Sequence, residues 1–106
     1  MLGWLVLAAV SALSVSAPET SYHRDLSALT RNMPDDVREF IDRRAQCNHW
    51  NGEEPYDTER SAQIAAAESS LRCLAVEPDE KVLRQRYGRN RDILKALDVS
   101  RDWTPG

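Results

Sequence analysis

The densest set of reactive side chains in this sequence is the run His49-Trp50-Asn51-Gly52-Glu53-Glu54, which begins two positions after Cys47. An imidazole beside two carboxylates has the donor types of a divalent-metal site or of an acid–base pair. Cys47-x-His49 adds a thiol at ligand spacing, but a disulfide at Cys47 would remove it from that role. The simpler reading is structural. His49 falls in the last turn of a helix, where an imidazole can satisfy a free carbonyl. Trp50 then covers the core edge or the disulfide, and Glu53 accepts from backbone N–H groups at the start of the next helix. His23 stands alone among polar residues and reads as solvated. No G-x-S-x-G, Walker A, H-E-x-x-H or G-x-G-x-x-G pattern occurs, so the expectation is a chain that is not an enzyme and takes no cofactor.

A second candidate is electrostatic. Residues 81–95 hold six basic side chains and one acid, whereas residues 53–59 hold Glu53, Glu54, Asp57 and Glu59 and no base. Arg84, Arg86, Arg89 and Arg91 could form a face that docks on an anionic polymer or an acidic envelope protein. Against this, the four do not share one helical stripe and Gly88 interrupts them, so a solvated helix face is the preferred reading. The net charge of −3 gives no support to nucleic-acid binding.

The elements that must position these residues follow from the charge distribution. Residues 1–17 carry no charged side chain, and all 14 Lys and Arg and all 17 Asp and Glu come after them. The segment 1–16 reads as a signal peptide, with an apolar stretch over Leu2–Leu13 and small residues Ser14 and Ser16 before a cut after Ser16. No Lys or Arg precedes the apolar stretch, so either the α-amino group supplies the only positive charge there or translation starts upstream. An uncleaved anchor is the alternative, but the stretch is shorter than the roughly 20 residues that span a bilayer. No cysteine sits at the cut, which argues against a lipoprotein. The expectation is therefore a periplasmic or secreted protein with no stable membrane span after cleavage.

Export leads to an oxidising compartment, where Cys47 and Cys73 should pair. Closing that loop stabilises by roughly 3.5 kcal/mol in the chain-entropy account. For a mature chain of about 90 residues, with a small core, this is a large contribution. Two free thiols acting as metal ligands or as a redox couple are the alternative, although a redox couple is more often spaced C-x-x-C.

The fold class expected is all-α: a disulfide-stapled helical hairpin with two short C-terminal helices, forming a domain over 34–98. Residues 17–33 read as a flexible linker, in which Ser21 could cap a short turn carrying Leu26 and Leu29. The first helix, 34–49, opens on Pro34 with Asp35 and Asp36 against the dipole. It buries Val37, Phe40, Ile41, Arg44 and Cys47, and pairs Arg38–Asp42 and Glu39–Arg43 on its outer side. The second, 58–74, is capped by Asp57. Its small face, Ala62, Ala66, Ser69 and Cys73, should receive the first helix, and its Ile64, Ala67 and Leu71 face the later ones, which would make it the middle layer. Helices at 79–87, with Val82, Leu83 and Tyr87 inward, and at 91–98, capped by Asn90, complete the bundle. The tail 99–106 should fray unless Trp103 docks.

The segment CNHWNGEEPYDTER (47–60) resembles a group of small exported proteobacterial proteins of uncharacterised function. In these a helix ends in Cys-x-His-aromatic, a Gly-Glu turn and a Pro-Tyr-Asp stretch follow, and a second helix ends in Cys. The matching residues are Cys47, His49, Trp50, Gly52, Glu53, Tyr56, Asp57 and Cys73, and LRQRYGRNRDILKALD (83–98) is similar to the group's C-terminal part. The group often has Gly-Thr-Asp after the second Cys where this chain has LAVEPD. The resemblance implies architecture and export and carries no activity. Three roles follow as expectations: a non-catalytic interaction module, an inhibitor of an envelope hydrolase such as lysozyme, or a periplasmic metal-binding protein using His49, Glu53 and Glu54.

Overall fold

Thr20 opens the first helix by accepting a hydrogen bond from the backbone N–H of His23 at 3.3 Å, the usual way to satisfy an orphan donor at a helix start. The computed structural model describes residues 20–106 and Gly3, so the expected signal peptide lies outside the described residues apart from that glycine. In chain order the elements are α1 (Ser21–Leu29), α2 (Asp35–Asn51), α3 (Thr58–Ser70), a 3-10 turn (Cys73–Ala75), α4 (Val76–Arg86) and α5 (Arg91–Val99), with no strand among the described residues. The fold is a small all-α bundle carrying the Cys47–Cys73 disulfide.

The expected linker is in large part helix. Tyr22, Leu26 and Leu29 recur at helical spacing, and α1 buries the first two in the core while the third packs against it. The cap is Thr20 rather than Ser21. At the other end the Thr30 hydroxyl donates to the Leu26 carbonyl at 2.6 Å, and Asn32, with φ of 63°, turns the chain toward α2. Asparagine is among the few residues that take this left-handed conformation readily.

α2 is the centre of the bundle. Val37, Phe40, Ile41, Arg44 and Cys47 are buried as the periodicity requires, joined by Ala45, and Pro34 stands just before the helix rather than inside it. The helix continues past residue 49 to Asn51, where the Gly52 N–H donates to the carbonyls of Asn48 and His49. The side-chain pairs expected along its outer face form between helices instead. Asp42 accepts from the Tyr22 hydroxyl at 2.7 Å, and Arg43 reaches Asp79 at 2.8 Å.

α3 does not form the middle layer. None of its 13 residues is buried: Ala62, Ala66 and Ser69 face solvent, while Ile64 and Ala67, with Leu71 just beyond the helix, are half-buried. An alanine-rich segment is helical by intrinsic propensity without needing a neighbour on each face. The helix also ends earlier than expected, because Arg72 adopts a left-handed conformation (φ 53°) and places Cys73 on the 3-10 turn.

α4 starts at Val76, with Pro78 in its first turn, where the missing N–H is tolerated. Leu83 is buried and Tyr87 packs on the core, but Val82 is 49% exposed and does not face inward. Between α4 and α5 a Cβ at Gly88 would stand 3.0 Å from the Arg84 carbonyl, a tight contact that a larger residue could make only if the backbone shifted by a few tenths of an ångström. Asn90 caps α5 by accepting from the Ile93 N–H at 3.1 Å, and Ile93, Ala96 and Leu97 complete the core.

The start of the C-terminal tail is fastened rather than frayed. Ser100 is fully buried, Asn48 donates to the carbonyls of Arg101 and Trp103, each at 2.9 Å, and the Trp103 ring meets Tyr22 edge-on at 6.3 Å.

Candidate functional site

Helix α2 delivers His49 and Trp50 in its last turn, and the 52–57 connection returns the chain so that Glu53 faces the start of α3. The Glu53 carboxylate lies between an imidazole and a guanidinium. One oxygen is 3.3 Å from His49 Nε2 and the other accepts from Arg60 at 3.0 Å. The Arg60 guanidinium lies 5.3 Å from the centre of the Trp50 ring, a cation–π arrangement, and His49 packs edge-on against Trp50 at 5.4 Å. The four side chains form a closed set that ties the end of α2 to the start of α3. Sequence reasoning brought His49, Trp50 and Glu53 together correctly but gave Glu53 backbone donors; its donor is the Arg60 side chain. Glu54 is exposed and joins neither. Among the described residues no group of three or more His, Cys, Asp and Glu side chains is placed to hold a metal ion.

The second candidate, the basic segment, divides into two pairs. Arg84 donates to Glu80 at 2.7 Å and to Asp98 at 2.6 Å, and these partners raise its pKa and lower that of Asp98. Arg86 donates to Asp36 at 2.6 Å, and the Tyr87 hydroxyl donates to the same carboxylate at 2.9 Å. Burial works against the charge on Asp36, but the bonds from Tyr87 and Arg86 together outweigh it and hold its carboxyl below the usual range. Those two arginines are therefore engaged in tying α4 to α5 and to α2. Arg89 and Arg91 are different: both are exposed, and no carboxylate among the described residues lies within ion-pair distance of either. They line an open groove of about 630 Å³ at the α4–α5 turn, together with Tyr87 and Asn90.

A polar cluster that sequence reasoning did not assign surrounds Arg44. The periodicity places Arg44 on the buried face of α2, which signals a buried charge in need of partners. The structure supplies them. One nitrogen donates to Glu80 at 2.7 Å, and the other to the Leu97 carbonyl at 2.6 Å and to the Ser100 hydroxyl at 3.1 Å. Burial lowers the Arg44 pKa, opposed by Glu80, while its Nε has no hydrogen-bond partner among the described residues. The Leu97 carbonyl belongs to the last turn of α5, so Arg44 does the work of a C-cap from a neighbouring helix.

The disulfide brings the Cα atoms of Cys47 and Cys73 to 5.6 Å, within the ordinary bridging range. Cys47 is buried and Cys73 half-buried, and both line a cleft of about 650 Å³ with Arg44, Asn51 and Leu74. Comparison with protein-family models, with curated proteins and with solved structures found no match for this chain.

Proposed function

We propose that this chain is an exported, non-catalytic interaction module that docks on an anionic envelope partner through Arg89 and Arg91 at the α4–α5 turn. The observation that carries this reading is the contrast among the four arginines of the basic segment. Arg84 and Arg86 are consumed by carboxylates of the fold, while Arg89 and Arg91 stand exposed, outside ion-pair distance of any described carboxylate, beside a groove that Asp92 also lines. Guanidinium groups without an ion pair on an exposed turn suit bidentate contact with carboxylate or phosphate.

Export is supported by the uncharged residues 1–17 in the sequence and by the disulfide, which persists in oxidising compartments. Among the described residues no helix is long and apolar enough to cross a membrane. The non-catalytic part of the reading rests on the sequence, which carries none of the nucleophile-elbow, phosphate-loop or zinc-protease motifs.

The test is recovery of partners from envelope extract by the oxidised protein, comparing the wild type with Arg89→Ala/Arg91→Ala and with Glu54→Gln as a control of similar exposure. Loss of recovery in the double variant alone, with wild-type recovery abolished by high salt, supports the reading. Equal recovery by wild type and double variant removes it.

A further inference from the structure

We infer that the Cys47–Cys73 disulfide is a reducible latch on α3, so that a dithiol reductant frees this helix from the bundle while α1, α2, α4 and α5 stay folded. This inference is independent of the docking reading, which concerns the α4–α5 turn.

The argument begins with what α3 contributes to the core, which is nothing: none of its residues is buried, and none belongs to the apolar cluster or packs directly on it. It lies along α2 with Ile64 and Ala67 only half-covered, and its polar and covalent ties stand at its ends. At the start, Arg60 holds Glu53 and stacks on Trp50. At the finish, Arg43 of α2 donates to the carbonyls of Leu71 and Arg72, at 2.7 and 3.1 Å, and the disulfide follows at Cys73. The polar contacts are partly solvated and weak one by one. A helix of 13 residues is marginal on its own in water, so α3 depends on what holds it. Removing the one covalent tie should therefore act on this element first, the way low-stability units open below the global transition.

The bond is also reachable. Cys73 is half-buried beside the fully exposed Leu74, and it lines open clefts on two sides, one with Arg44 and Asn51 and one with Ala65 and Ser69. Cys47 is the buried sulfur. A thiolate of the reductant thus attacks Cys73 Sγ. The Cys47–Cys73 bond breaks, a mixed disulfide forms on Cys73, and Cys47 leaves as a thiolate that takes a proton from water. The second thiol of the reductant then attacks the mixed disulfide, closing the reductant into its own disulfide and releasing Cys73, which is protonated in turn. Two electrons and two protons pass from the dithiol to the cysteine pair. Release of the arm would bare the side of α2 that holds Cys47, together with Ile64, Ala67 and Leu71, which are half-covered in the oxidised form. The reduced protein would then present a surface and a thiol that the oxidised protein conceals.

Amide hydrogen exchange on the oxidised protein, on the protein reduced with dithiothreitol, and on Cys47→Ser/Cys73→Ser without reductant tests this. The expected result is that amides of Thr58–Ser70 exchange about 100-fold faster or more in both forms that lack the disulfide, while those of Val37–Ala45 and of Ile93–Leu97 stay within about threefold of their oxidised rates. Two results overturn it: α3 amides that remain within that threefold band after reduction, or α2 and α5 amides that accelerate by the same factor as those of α3, which would make the arm part of one cooperative unit.

Discussion

Arg44 and Glu80 form an ion pair of 2.7 Å whose arginine is almost wholly enclosed, and the same carboxylate holds the surface Arg84 through its second oxygen, also at 2.7 Å. Glu80 thereby joins α2 to α4 and, by way of Arg44 and Arg84, connects both to the last turn of α5.

Removing the enclosed member of that pair takes the donor from two buried acceptors, the Leu97 carbonyl and the Ser100 hydroxyl, while Glu80 keeps Arg84. Arg44→Ala should lower unfolding stability by about 2–4 kcal/mol, because the Leu97 carbonyl and the Ser100 hydroxyl lose their donor and Glu80 loses one of its two. Arg44→Lys should recover only part of this, since one ammonium cannot reach acceptors arranged for a planar fork. Urea midpoints with unchanged m-values give the measurement, and a loss in Arg44→Ala below about 1 kcal/mol would contradict the assigned role.

The arginines of α4 and of the turn should separate in stability as they do in geometry. Arg84→Ala should cost on the order of 1 kcal/mol for two half-exposed ion pairs. Arg89→Ala and Arg91→Ala should each stay within about 0.5 kcal/mol of the wild type. Thermal and urea unfolding of the single variants would decide, and a destabilised Arg89→Ala or Arg91→Ala would mean that these side chains hold the fold rather than face a partner.

Asn90 is the only side-chain cap at the start of α5, accepting from Ile93 at 3.1 Å, and Ile93 is part of the core. Asn90→Ala should cost about 1 kcal/mol, with Asn90→Asp or Asn90→Ser close to neutral. Since α5 supplies three core residues, the loss should appear in the global transition, as a shift of the midpoint in circular dichroism.

Four groups bear on the pH response, Tyr22 and Tyr87 on the alkaline side and Asp36 and Asp98 on the acid side. Burial, helped by the hydrogen bond to Asp42 and its charge, raises the Tyr22 pKa far above the ordinary phenol value. The unfolded phenol ionises near ~10 and the folded one later, so the stability held by neutral Tyr22 is complete below ~10 and declines as pH rises beyond it. Asp36 has the opposite sign. Its folded pKa lies below the ordinary ~3.9, so its contribution is present above that pH and is lost on acidification through the folded value. Urea midpoints should therefore fall above ~10 and below ~4, with Tyr22→Phe flattening the alkaline limb and Asp36→Asn the acid one. Unchanged limbs in those variants would refute the assignment.

Much of the architecture is legible in the sequence because it rests on local signals. Apolar spacing defines α2 and α5, Asn90 and Asp57 are recognisable caps, and the sequence holds two cysteines, which bond to each other. Other features depend on tertiary choices that local pattern does not encode. The alanines of α3 suit a closely packed face and an exposed helix equally, and the fold uses them for the second. The end of that helix was hidden because an arginine takes the left-handed position where glycine is the usual marker. Tyr22, Leu26 and Leu29 do carry a helical period, but over only nine residues interrupted by charges, so α1 reads as linker until its docking is seen. The candidate site was half visible: the 49–53 residues do meet, but neither the division of the basic segment nor the enclosure of Arg44 follows without knowing which carboxylates the other helices bring.

Arg43 and Arg44 are neighbours on α2, yet one finishes α3 through Leu71 and Arg72 and the other finishes α5 through Leu97. Successive positions on a helix diverge by about 100°, which is what lets two adjacent residues serve elements on different sides. The central helix thus works as a ruler for its neighbours' lengths. Adding a single residue between Val37 and Arg43 would swing both guanidinium groups out of register at once, unfastening two helix ends that share no contact with the point of insertion.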